Sequence, residues 1–114
     1  TLDALTPEYG DNCRAINLAT IFATQSVARQ LQGARLPGSI VNMGSISWMR
    51  GRPDRISYTI AKAAISGITR TLARELGATG IRVNALVPSA IVTERQRALW
   101  RNAEEDQKFI DLQA

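Results

Sequence analysis

Histidine is absent from this chain of 114 residues, and cysteine occurs once, at Cys13. Without those side chains a zinc site is not expected, and one thiol cannot close an internal disulfide. No apolar run approaches the length needed to cross a membrane. Residues 1–10 lack the basic-then-apolar order of a secretory leader, so a reducing cytoplasm is the expected setting. Lysine is scarce too: Lys62 and Lys108 are far outnumbered by arginine, within a net charge of +4. Such an excess can serve nucleic acid, but these arginines are scattered rather than blocked, which reads as a solvated surface. Repeats, low-complexity tracts and long linkers are all missing, and the length suits one domain. The first residue is not methionine. The expectation is one partial domain over 1–114, cut at both ends from something longer.

What is there is an alternation of helical and strand patterns. Thr6-Pro7-Glu8 opens a helix with a capping hydroxyl, a proline at the first helical position and an acid at the positive end of the dipole. That helix runs to about Gln32, closed by Gly33 and the Pro37-Gly38 pair. Ile16, Leu18, Ile21 and Phe22 point to several sides, so it is expected to be covered on more than one face. Residues 39–44 (SIVNMG) read as a buried strand, and 45–53 as a loop. Asp54 is a candidate cap for a second helix reaching Leu76, with Gly77 just past its end. Its core stripe is Ala61, Ala64, Ile65, Ile68, Leu72 and Leu76. Residues 81–87 (IRVNALV) make a second strand, stopped by Pro88. Thr93 with Gln96, and Asn102 with Glu105, form capping boxes for short helices.

Strand, helix, strand at this spacing implies a right-handed parallel crossover and an open α/β sheet. Two parallel strands alone are not a stable sheet. The fold class is therefore a partial, Rossmann-like, doubly wound parallel sheet.

In such sheets ligands bind outside the carboxyl ends of the strands. Ser45 follows the first strand, Tyr58 lies in the first turns of the next helix, and residues 88–93 leave the second strand. All three reach one rim. On a helix, Tyr58 and Lys62 are neighbours at i and i+4. A free phenol titrates near pH ~10 and is a weak base at neutrality, but a cation within about 4–6 Å favours its ionised form. Ser45 can donate a hydrogen bond to a substrate oxygen. The three groups suit proton transfer at a carbonyl or alcohol oxygen. Hydride transfer then needs a nicotinamide, because no side chain supplies a hydride. Taken singly, a tyrosine four residues before a lysine is ordinary packing with a snorkelling ammonium. The meaning comes from the conjunction.

That conjunction resembles the short-chain dehydrogenase/reductase family. The family has a serine after a strand, a tyrosine thirteen positions on and a lysine four further, the register of Ser45, Tyr58 and Lys62. "AINLATIF" supplies Asn17 where the family has an asparagine that carries a water-linked proton relay toward the lysine. "RVNALVPSAIVTE" is similar to the family's cofactor-side segment. The resemblance implies that Pro88, Ser89, Ile91 and Thr93 join Tyr58 and Lys62 in binding NAD or NADP. It departs at Ser89, where the family usually has glycine, a residue that tolerates backbone angles serine does not. "GSISW", "YTIAKAAISGITRTLARELG" and "TERQRALW" look like a subgroup acting on sugars at C1. In that case Trp48, Gln96 and Trp100, with Ser45 and Tyr58, line the substrate site; ordinary packing is the plain account of the two tryptophans and the glutamine.

The glycine-rich turn that cradles a dinucleotide pyrophosphate is not in this sequence. The chain alone is therefore expected to bind the cofactor weakly and to turn over little. A carbonyl or 3-oxoacyl-type reductase is the alternative substrate class. A non-catalytic role is another, since the family's subunits meet through the two long helices, and Ala63 and Gly67 are small enough for close packing in a homo-oligomer, a tetramer when complete. Residues 68–84 superficially suggest a helix-turn-helix, but a β-branched stretch follows the turn where a recognition helix belongs. No nucleic-acid or membrane partner is expected.

Overall fold

The structure, a computed structural model, describes residues 3, 5–51, 53–100, 104, 107, 108 and 111, without the side chains of 99 and 100. The order is α1 (Pro7–Gly33), β1 (Gly38–Met43), a one-turn 3₁₀ helix (Ile46–Trp48), α2 (Ile56–Gly77), β2 (Ile81–Leu86) and α3 (Glu94–Trp100). Thr6 caps α1, its hydroxyl accepting from the Tyr9 N–H at 3.3 Å, with Pro7 as the first helical residue. The α1 boundary lies one residue beyond the expected one. Gly33 is inside the helix, and the chain turns at Arg35, which takes a left-handed φ of 54°.

Asp54 is not the N-cap residue of α2. It sits in the preceding turn at a φ of 61°, and the N-cap position belongs to Arg55, whose side chain makes no capping bond. The left-handed backbone at 54 differs from the extended backbone that a cap residue takes. At the other end, Gly77 is the last helical residue, and Gly80 at φ 77° makes the turn into β2. Only glycine takes that angle without strain. The capping pair proposed at Asn102 and Glu105 lies outside the described residues.

β1 and β2 pair in parallel, Gly38 opposite Ile81 through Met43 opposite Leu86. The side-chain alternation sends Ile40, Asn42, Ile81 and Val83 to one face of the pair. Both long helices pack there. Ala28, Leu76, Ile81 and Val83 form the core, with Leu31, Ile40, Leu72 and Ala73 packed against it. Ile81 has 0% exposure. Asn42 is also buried on this face, and its side-chain amide donates to the Thr69 hydroxyl at 3.0 Å. That bond ties β1 directly to α2.

Among the described residues, the side chains on the other face of the pair are exposed. Val41 is 63% exposed, and Met43 and Leu86 are 54% exposed. β1 is thus buried on one face, not both, because the two helices share a side. For the same reason α1 is covered on one face only: Thr24 and Ala28 are buried, while Ile16, Leu18 and Phe22 are exposed and Ile21 is half-buried. A groove of about 340 Å³ runs between α1 and β1, lined by Thr20, Thr24, Val27 and residues 40–43.

Candidate active site

The carboxyl ends of the two strands are stitched together by backbone. The Gly44 N–H donates to the Leu86 carbonyl at 2.7 Å, and the Ile46 N–H donates to the Pro88 carbonyl at 3.1 Å. Gly44 permits this approach. A Cβ there meets the Leu86 carbonyl oxygen and a Val87 methyl, each at 3.3 Å. Ser45 follows at once, nearly buried at 7% exposure. Its extended backbone starts the 3₁₀ turn, and its hydroxyl accepts from the Ser47 N–H at 3.2 Å. The same oxygen donates to the Ser47 hydroxyl at 3.0 Å.

α2 brings up the other groups. Tyr58 is in its first turn, 38% exposed. Lys62, one turn on, places its ammonium 5.8 Å from the centre of the Tyr58 ring. That ammonium also donates to the Met43 carbonyl at 2.9 Å. Met43 is the last residue of β1, two before Ser45. Tyr58, Lys62 and Met43 are thus linked through the Lys62 side chain, and the chain from Met43 through Ser45 to Ile46, which bonds Pro88, lies at the carboxyl edge, where an open α/β sheet takes its ligands. Lys62 spends one of three N–H donors on Met43 and keeps two among the described residues. Among the described residues no three His, Cys, Asp or Glu side chains gather as a metal site.

Other candidates lie further out. Ser89 is half-buried in the segment leaving β2, while Ile91 and Thr93 are exposed. Thr93 caps α3, its hydroxyl accepting from the Gln96 N–H at 3.2 Å. Asn17 is half-buried on α1 and, among the described residues, makes no hydrogen bond to Ser45, Tyr58 or Lys62. Trp48 ends the 3₁₀ turn half-buried, with its indole N–H buried and without a hydrogen-bond partner among the described residues. Gln96 is half-buried on α3, and the Trp100 side chain lies outside the description. Two residues that hold the site were not picked out from the sequence. Asn42 had a signal: an amide on the inward face of an apolar strand needs a buried partner. Ser47 had none beyond its spacing from Ser45.

A parallel α/β pair with a phenol, an ammonium and a hydroxyl joined at its carboxyl edge defines a Rossmann-like protein with a polar rim site. Comparison with known proteins narrows this. Residues 2–113 match the family described as enoyl-(acyl carrier protein) reductase. A probable galactose dehydrogenase of Rhizobium meliloti is 45% identical over 104 residues, covering 90% of this chain and 40% of the relative. A D-xylose 1-dehydrogenase of Caulobacter vibrioides is 41% identical over 110 residues, covering 96% and 44%. A 4-hydroxyisoleucine dehydrogenase mutant, solved with NADH and succinate, superposes with a TM-score of 0.81 at 26% identity, over 97% of this chain and 44% of that one. The chain belongs to the short-chain dehydrogenase/reductase family. It spans about two-fifths of the length of the curated relatives it matches.

Proposed function

We propose that this chain is the carboxyl-side part of a nicotinamide-dependent dehydrogenase that oxidises an alcohol carbon, most simply a sugar at C1. The observation that carries the reading is the Lys62 ammonium, held at 2.9 Å by the Met43 carbonyl and 5.8 Å from the Tyr58 ring. In the oxidative direction the substrate hydroxyl gives its proton to the Tyr58 oxygen. Ser45 donates a hydrogen bond to the same substrate oxygen and keeps it beside the phenol. Lys62 sets a positive charge next to the phenol, and its ammonium would hold a ribose hydroxyl of the nicotinamide. Asn17 continues the proton path from Lys62 through water. When bound, NAD or NADP supplies the hydride acceptor. Pro88, Ser89, Ile91 and Thr93 are the residues of this chain that would hold it, beside Tyr58 and Lys62.

The names of two relatives support a sugar, with Trp48, Gln96 and Trp100 beside it. The family's own description favours a second reading, reduction of an acyl-linked or other carbonyl substrate. A homo-oligomer assembling through α1 and α2 goes with either. An added Cβ at Gly67 meets nothing within 4 Å, which leaves room for a close neighbour. No described helix is long and apolar enough to cross a membrane, and a cytoplasmic setting suits a nicotinamide enzyme.

The test uses the protein as its gene encodes it. NAD and NADP are offered with aldoses in one series, and NADH and NADPH with acyl-linked ketones in another, read by nicotinamide absorbance. Aldose oxidation supports the first reading; turnover of acyl-linked ketones alone moves the second ahead. Tyr58→Phe is expected to lower kcat about a hundredfold or more, the usual range for losing a general acid/base. Full activity in that variant removes the catalytic assignment.

A further inference from the structure

The Ser45 hydroxyl has one proton to give and two lone pairs to fill. Ser47 takes the proton and fills one of the lone pairs. Its N–H fills one lone pair at 3.2 Å, and its hydroxyl oxygen, 3.0 Å away, takes the Ser45 proton. Ser45 is nearly buried, so solvent is a poor substitute for that acceptor. An unpaired buried donor is costly. The one-turn 3₁₀ helix fixes the arrangement, because Ser45 is its cap and Ser47 its middle residue. Backbone bonds from Met49 N–H to Ile46 at 3.0 Å and from Ile46 N–H to Pro88 at 3.1 Å brace the turn.

A proton resting on Ser47 is not aimed at a substrate. We propose that Ser47 is a positioning residue that parks the Ser45 proton while the site is empty and releases it when a substrate oxygen arrives. This rests on the dehydrogenase reading. An oxygen pair at hydrogen-bond distance can carry its proton from either side. On substrate arrival Ser45 turns its O–H to the substrate oxygen, vacating a lone pair. Ser47 turns its own O–H into that lone pair. Two hydroxyl rotors move and no covalent bond changes. In the second state Ser45 accepts from the Ser47 N–H and the Ser47 O–H, so its only free direction is toward the substrate. The polarisation also makes it a better donor.

The experiment has two readouts on the protein as its gene encodes it. The first is neutron diffraction of the deuterated, ligand-free protein. The Ser45 deuteron is expected on the line to the Ser47 oxygen; a deuteron aimed elsewhere overturns the proposal. The second is kinetic. Ser47→Ala is expected to lower kcat about fivefold to tenfold, the worth of one hydrogen bond, with the KM for the nicotinamide unchanged. Ser47→Thr is expected to restore the rate. In a Ser45→Ala background, Ser47→Ala is expected to cost nothing more, because Ser47 acts only through Ser45. Losses that multiply, or a threonine that fails to restore, overturn the proposal. A wild-type protein that turns over no alcohol or carbonyl sinks the dehydrogenase reading and the handover with it. The neutron result separates that failure from a failure of the serine pair itself.

Discussion

The two long helices carry the candidate residues in unlike settings. α2 has five buried residues in 22, spread from Ser57 to Leu76, and it is bonded to β1 through Asn42 and through Lys62. α1 has two in 27, Thr24 and Ala28, both in its second half. Its first half, which holds Asn17, shows Tyr9, Ile16 and Leu18 to the outside. Tyr58 and Lys62 are therefore positioned by contacts this chain makes itself. Asn17 lies on the half of α1 that holds none of that helix's buried residues. A polar group aimed by a packed element and one carried on an exposed helix cannot be expected to hold their geometry equally well.

Substitutions can break that comparison or sharpen it. The largest expected loss is at the shared core: Ile81→Ala is expected to destabilise the fold by about 2–5 kcal/mol, read as a lowered urea midpoint. Next is the tie between β1 and α2. Asn42→Ala leaves the buried Thr69 hydroxyl without its donor, at a cost of about 1–3 kcal/mol. Replacing Thr69 by valine in the same protein is expected to recover part of that loss, and a double-mutant cycle measures the share. The smallest change is expected on α1. Phe22, 60% exposed, is expected to change stability by no more than about 0.5 kcal/mol when replaced by alanine, if nothing else covers it. A loss of several kcal/mol there shows instead that α1 is buried in the assembled protein.

Most of the fold was legible because its signals are local. Thr6-Pro7, the glycines around the strands, and Pro88 all mark ends within a residue or two of where they fall. The parallel crossover followed from spacing. Ser45, Tyr58 and Lys62 came to one rim by topology alone, before any contact was known. What escaped depends on packing across distance. β1 and α1 read as covered on more than one face because apolar residues point to both, but a sequence does not say which covering layer is within the same chain. Asp54 has the chemistry of a cap, yet its φ is set by the turn before it. The Asn42–Thr69 bond joins residues 27 apart, a separation no local pattern encodes.

Three of the bonds that set the rim are made by main chain: the carbonyls of Met43 and Pro88 accept, and the N–H of Ser47 donates. Main-chain groups come with every residue, save the N–H that proline lacks. Position 43 can therefore drift among strand-forming side chains without releasing Lys62, and position 88 keeps its acceptor under any replacement that holds the turn. The alignment of the site is insulated from mutation at those positions. Lineages that diverge in sequence around the rim are free to reshape what the site admits while inheriting the same grip on the lysine.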